Sequence, residues 1–191
     1  MTPTRGGLPP PLATVAGMRP SVPFLEPLLG GVWWTVGAIA LSAGTGTVVL
    51  AAGIGVTGGL IVALRRRHGN GEPLPRGARG RLLRIGFVVV VLAVAAGPLL
   101  GLVDLGELAV PVACAVTGFA LFPLASLLDE RALLAAGGAL LVLAATGALF
   151  ALDYAGTFLP QGLVGMAAGV VLWLVGAQRS GLLAEARARR D

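Results

Sequence analysis

Cys114, Thr117, Ser126 and Gln161 are polar side chains set in otherwise apolar sequence, and they are the first candidates for chemistry. A serine or cysteine nucleophile needs a base within hydrogen-bond reach. The one histidine, His68, follows Arg65-Arg66-Arg67, far in sequence from Cys114 and Ser126. No H-E-x-x-H motif or other spacing of metal ligands is present, and with one cysteine no intrachain disulfide can form. The expectation is a protein that is not an enzyme and binds neither metal nor cofactor. Cys114, Thr117, Pro123 and Ser126 share one apolar segment with Pro111. A proline-kinked, mildly polar helix of this kind could line a cavity, with Gln161 beside Pro160 as a further lining residue. The plainer reading is a bent helix whose freed carbonyls are satisfied by its neighbours.

The elements that must position these residues follow from composition. The chain of 191 residues is 56% hydrophobic and 12% charged, with a mean hydropathy of +0.89. A soluble domain is about a quarter charged. A helix needs roughly 20 apolar residues to cross a hydrocarbon core, and strict alternation, the mark of a membrane barrel, is absent. Residues 28–64 form one uncharged run, too long for a single crossing. A break at Ser42–Thr47, rich in small polar residues, divides it. Six spans are therefore expected, at about 25–42, 46–64, 82–103, 108–128, 132–152 and 157–177, in one all-α polytopic bundle. No charged residue or histidine falls in their interiors. Since intramembrane charges mark ion and proton pathways, this pattern argues against proton-coupled transport.

All 14 basic residues are arginines, which reads as a product of a GC-rich bacterial genome. They fall before the first span, between the second and third, between the fourth and fifth, and after the sixth; the other connections hold only Asp104, Glu107 and Asp153. The positive-inside rule then places both termini in the cytoplasm and the protein in a bacterial cytoplasmic (inner) membrane. The rival count is five spans, with 28–64 as one broken helix. The net charge of +5 is explained by this topology, so no nucleic-acid partner is expected. Arg65, Arg66, Arg67, Arg81 and Arg84 are candidate contacts for anionic lipid headgroups; the plain alternative is that they only set topology. Arg65–Arg67 should stop the second helix, and the segment to Arg84 should be a flexible loop.

Residues 1–24 are rich in proline and glycine and read as a disordered cytoplasmic segment without a signal-peptide pattern. Residues 178–191 read as a basic tail with a short interfacial helix. Gly162, Gly165, Gly169 and Gly176 recur along the sixth span, Gly30, Gly37 and Gly44 along the first. Gly55 with Gly59 and Gly97 with Gly101 repeat the pattern in the second and third. Small residues at such spacing let helix backbones approach, either inside the bundle or in a homodimer, for which the sixth span is first choice. Three spans per half would also permit an inverted repeat. Trp33 and Trp34 lie well inside the first span, whereas Trp173 suits an interfacial belt.

The stretch Gly118-Phe-Ala-Leu-Phe-Pro-Leu-Ala-Ser-Leu127, followed by an Ala/Leu-rich span with Gly137 and Gly138, resembles a group of small bacterial membrane proteins of unknown function. Those proteins tend to carry a Gly-Leu-His-Phe-x-Pro-Leu-Ala segment before a Gly- and Leu-rich span. Ala120 stands where they often have histidine, so no role for that histidine carries over. The resemblance covers the fourth to sixth spans and implies a multi-pass protein, with no activity attached. The expected role is a non-enzymatic accessory or structural membrane component, partnered by the bilayer and by a membrane protein or a second copy. The rivals are a small permease or channel for a neutral or apolar solute and an interfacial lipid-acting enzyme.

Overall fold

A computed structural model describes residues 24–41, 43–69, 77–153 and 159–182. It contains α1 (Leu25–Ile39), α2 (Ala43–His68), α3 (Ala78–Gly101), α4 (Ala109–Leu128), α5 (Arg131–Asp153) and α6 (Leu159–Arg179), with a single 3-10 turn at Gly106–Leu108. The expected disordered start lies outside the described residues up to 23, as do the centre of the loop (70–76) and the tail beyond 182. Five of the helices, α2 to α6, are long and apolar enough to cross a bilayer, which fits a multi-pass membrane protein. The six-span expectation is matched in helix count but not in length. With 15 residues at 1.5 Å each, α1 is roughly 22 Å long, short of a hydrocarbon core of about 30 Å.

The helix ends depart from expectation for a physical reason. Arginine is a good helix former, so charge marks where a helix meets water and not where its hydrogen bonding stops. Accordingly α2 runs through Arg65–Arg67 to His68, and α3 starts at Ala78, with Arg79, Arg81 and Arg84 in its opening turns. Much of the expected flexible loop is therefore helix. The predicted turn at Ser42–Thr47 falls earlier, since α1 ends at Ile39 and α2 has begun by Ala43. α1 and α2 are an antiparallel hairpin, not one broken helix. Trp34 Nε1 donates to Val49 O at 2.7 Å, and Gly31 sits against Thr57. Two connections turn on aspartates in left-handed conformation, Asp104 (φ 57°) after α3 and Asp129 (φ 52°) after α4. Aspartate is among the few non-glycine residues that tolerate this region.

Helices α1, α4, α5 and α6 form the core, in which Cys114, Leu121, Leu133, Ala136, Leu140, Ala168 and Leu172 are fully buried. Its seams are made by glycine. On α6, Gly165 faces Gly37 of α1, where an added Cβ would lie 2.6 Å from the Gly37 nitrogen; at Gly169 it would lie 2.9 Å from Gly30 O. Gly162 meets Ala40 and Gly37 O, and Gly176 meets Glu26 and Pro27. The α6 glycine face is thus covered by α1 within the chain, the internal-packing reading of its spacing. Gly118 of α4 and Gly137 of α5 oppose one another in the same way. By contrast, an added Cβ at Gly55, Gly59, Gly97 or Gly101 meets nothing within 4 Å. The helices carrying them, α2 and α3, flank the core without touching each other and keep residues such as Ile54 and Val94 exposed.

The tryptophans join the core. Trp33 is buried, and Trp34 lies against Trp173 with ring centroids 5.0 Å apart. Trp173 is buried too and donates from Nε1 to Pro27 O at 3.3 Å. It is therefore a packing residue and not part of an interfacial belt, because the glycines of α1 and α6 bring the two backbones close enough to enclose it.

Candidate functional site

The two ends of the bundle differ in charge. α1 runs antiparallel to α6, pairing Glu26 with Arg179 at one end and Gly37 with Gly162 toward the other. The C-terminal end of α2 lies beside that of α6, where Gly181 approaches the Arg67 guanidinium. α3 joins α4 through the tight turn at Leu102–Leu108, so its first residues lie at the level of the end of α4. Arg65, Arg66, Arg67, Arg79, Arg81 and Arg84 thus share one end with Glu26, Glu130 and Arg179. Asp104, Glu107 and Asp153 mark the other.

At the basic end is a polar cluster that the sequence did not reveal. The Arg179 guanidinium donates from Nη1 to Glu26 Oε1 and from Nη2 to Glu130 Oε1. The side chains of Arg179 and Glu26 are 8% and 1% exposed, and that of Glu130 20%. Glu26 lies in the first turn of α1, Glu130 immediately precedes α5 and Arg179 is the last residue of α6. Each charge therefore has the sign its helix end favours. Among the described residues, Arg179 Nε is buried with no hydrogen-bond partner. The triad carries two carboxylates and one guanidinium and ties three helix ends together. In sequence, Glu26 looks like an ordinary residue at a span boundary, as does Arg179. Only the antiparallel seating of α1 on α6 brings them together.

The residues singled out for cavity lining do not converge. Cys114 is fully buried and donates from Sγ to Leu140 O at 3.5 Å. Thr117 turns its hydroxyl back to Ala113 O at 2.9 Å; it is buried and touches the edge of a cavity of about 330 Å³ among α1, α3 and α4. Pro123 and Ser126 are exposed on the surface of α4. Gln161 is at the opposite end, its Nε2 donating to Gly106 O at 3.4 Å. The larger cavities are lateral clefts between pairs of helices, with walls such as Leu143, Phe150 and Leu163 between α5 and α6. Among the described residues, no three His, Cys, Asp or Glu side chains gather as metal ligands would. Compared with known proteins, the chain matches no family model, no curated protein and no solved structure.

Proposed function

We propose that this chain is a bacterial inner-membrane protein that crosses the bilayer six times with its basic end in the cytoplasm. In this reading it acts without catalysing a reaction, as an accessory or structural component working through its lipid and protein contacts. The observation that carries it is the closed centre of the bundle. Leu121, Leu133, Leu140 and Leu172 fill the space between α4, α5 and α6, while Thr117, Ser126 and Gln161 lie apart. A path for a neutral solute would need them in line. The sixth crossing is α1, which covers the same depth as 162–179 of α6 despite its length. Its polar end residue, Glu26, is neutralised by Arg179. The resemblance over α4–α6 to small multi-pass bacterial proteins agrees with this reading.

Osmotic swelling tests the functional part. Proteoliposomes shifted into glycerol or urea should swell at the rate of protein-free liposomes. Faster swelling that Thr117→Leu abolishes would establish the permease instead. Cysteine labelling tests the topology. In a Cys114→Ala background, an impermeant thiol reagent should reach single cysteines at Gly44, Leu105 and Asp153 from outside intact cells. It should reach those at Arg66, Arg131 and Gln178 only after lysis. A single cysteine at Thr4 should likewise be reached only after lysis, and its labelling from outside together with position 44 would mean that α1 does not cross.

A further inference from the structure

The outer face of α1, opposite its seam with α6, is bare. Leu28, Val32 and Ile39 form a ridge there, 52%, 59% and 75% exposed. α2 packs along one flank of the ridge, α3 stands across a cleft on the other, and no Cα of α2 comes within 8 Å of one of α3. Between ridge and α2 is a cleft of about 390 Å³ with Gly53, Thr57 and Ile61 on its far wall. Between ridge and α3 is the cleft of about 330 Å³, walled by Val89, Val90 and Gly97 and backed by α4. Val32 lines both. The result is a two-lobed apolar trough with a single dividing ridge, both lobes at one depth.

The trough opens toward the arginines. Arg65 follows Ile61 by four residues on the trough-lining face of α2, and Arg79 continues the face of α3 that carries Gly97, Ala93, Val90 and Gly86, from which Arg81 and Arg84 are turned well away. At 1.5 Å per residue, Arg65 is roughly 6 Å above Ile61 and Arg79 roughly 15 Å above Val89. Both arginines are exposed.

We propose that the trough holds one anionic phospholipid, an acyl chain in each lobe and the phosphate between the arginines of α2 and α3. The inference rests on the membrane-embedded reading above and names its lipid partner. Two clefts beside one ridge suit a two-chain lipid better than one transmembrane helix, which would need a single groove. A second copy docked in parallel on this face would bring its own arginines against these, and like charges oppose that contact. Basic residues beside a membrane attract anionic headgroups by charge alone. The trough adds a defined seat for the chains.

Native mass spectrometry of the full chain tests this. The protein, purified in neutral detergent, is equilibrated with equimolar phosphatidylglycerol and phosphatidylcholine of identical chains. One phosphatidylglycerol per chain should be retained, preferred about tenfold. The double variant Arg65→Gln/Arg79→Gln should retain both lipids equally. Val32→Trp, which fills the trough, should lower occupancy by either. Equal retention by the wild type would overturn the proposal, as would an unchanged preference in the double variant. So would a dimer that Val32→Trp dissolves, because the occupant would then be a second copy. The arginine variant alters exposed positions only and decides the matter even if Val32→Trp fails to fold. Alkaline extraction separates the two readings. A chain that stays in the membrane pellet but shows no lipid preference refutes the lipid seat alone, and a chain released into the supernatant refutes both.

Discussion

Arg179→Met should destabilise the folded bundle by about 3–5 kcal/mol, the cost of leaving a buried charge without its partner. Glu26 is 1% exposed and its carboxylate is held by the Arg179 guanidinium. Once that group is gone, two carboxylates converge with no cation between them. The same principle predicts rescue. Replacing the whole triad, as Glu26→Leu/Glu130→Leu/Arg179→Met, removes the charges together with the need to pair them, and well-packed apolar replacements of buried ion clusters are often neutral or better. Cys114 provides the measurement. It is the sole cysteine and is fully buried, so a thiol-reactive fluorophore reports unfolding during a thermal ramp. The single variant should melt on the order of 10 °C lower than wild type, and the triple variant should recover most of that. A single variant that melts within a degree of wild type would mean that the triad is solvated.

The triad also shows where sequence reading reaches its limit. Apolar runs and arginine placement made the number of helices and the two-faced charge distribution legible, because each depends on residues close in the chain. The Glu26–Arg179 contact depends on which helix α1 chooses as a neighbour, 153 residues away, and no local pattern carries that choice. The tryptophans make the same point. Adjacent on one helix, Trp33 and Trp34 point about 100° apart, so one enters the core and the other bridges to Val49 and Trp173. Their depth in the span was readable and their partners were not. Similarly, the polar residues around Pro123 looked like a lining because they are close in sequence. Helical geometry turns Thr117 inward and Ser126 outward.

Glycine spacing is the sharpest case and leads to the second large effect. Gly165/Gly169 on α6, Gly55/Gly59 on α2 and Gly97/Gly101 on α3 share the same four-residue interval, yet only the first pair has a helix against it. Gly165→Leu should therefore be severely destabilising, by about 3 kcal/mol or more, at the upper end of overpacking costs. Its Cβ would lie 2.6 Å from the Gly37 nitrogen and 2.7 Å from its Cα. Those are backbone atoms that no rotamer change can move, so α1 must lift away from α6. The lift would also open the Gly30–Gly169 approach and separate Trp34 from Trp173. Gly55→Leu and Gly97→Leu meet nothing within 4 Å, and leucine has the higher helix propensity, so both should stay within about 1 kcal/mol of wild type. The thiol-labelling melt ranks the three variants, and a change in tryptophan emission confined to Gly165→Leu would tie its loss to the α1–α6 seam. Equal losses in all three would mean that α2 and α3 are packed against partners as tightly as α6 is against α1.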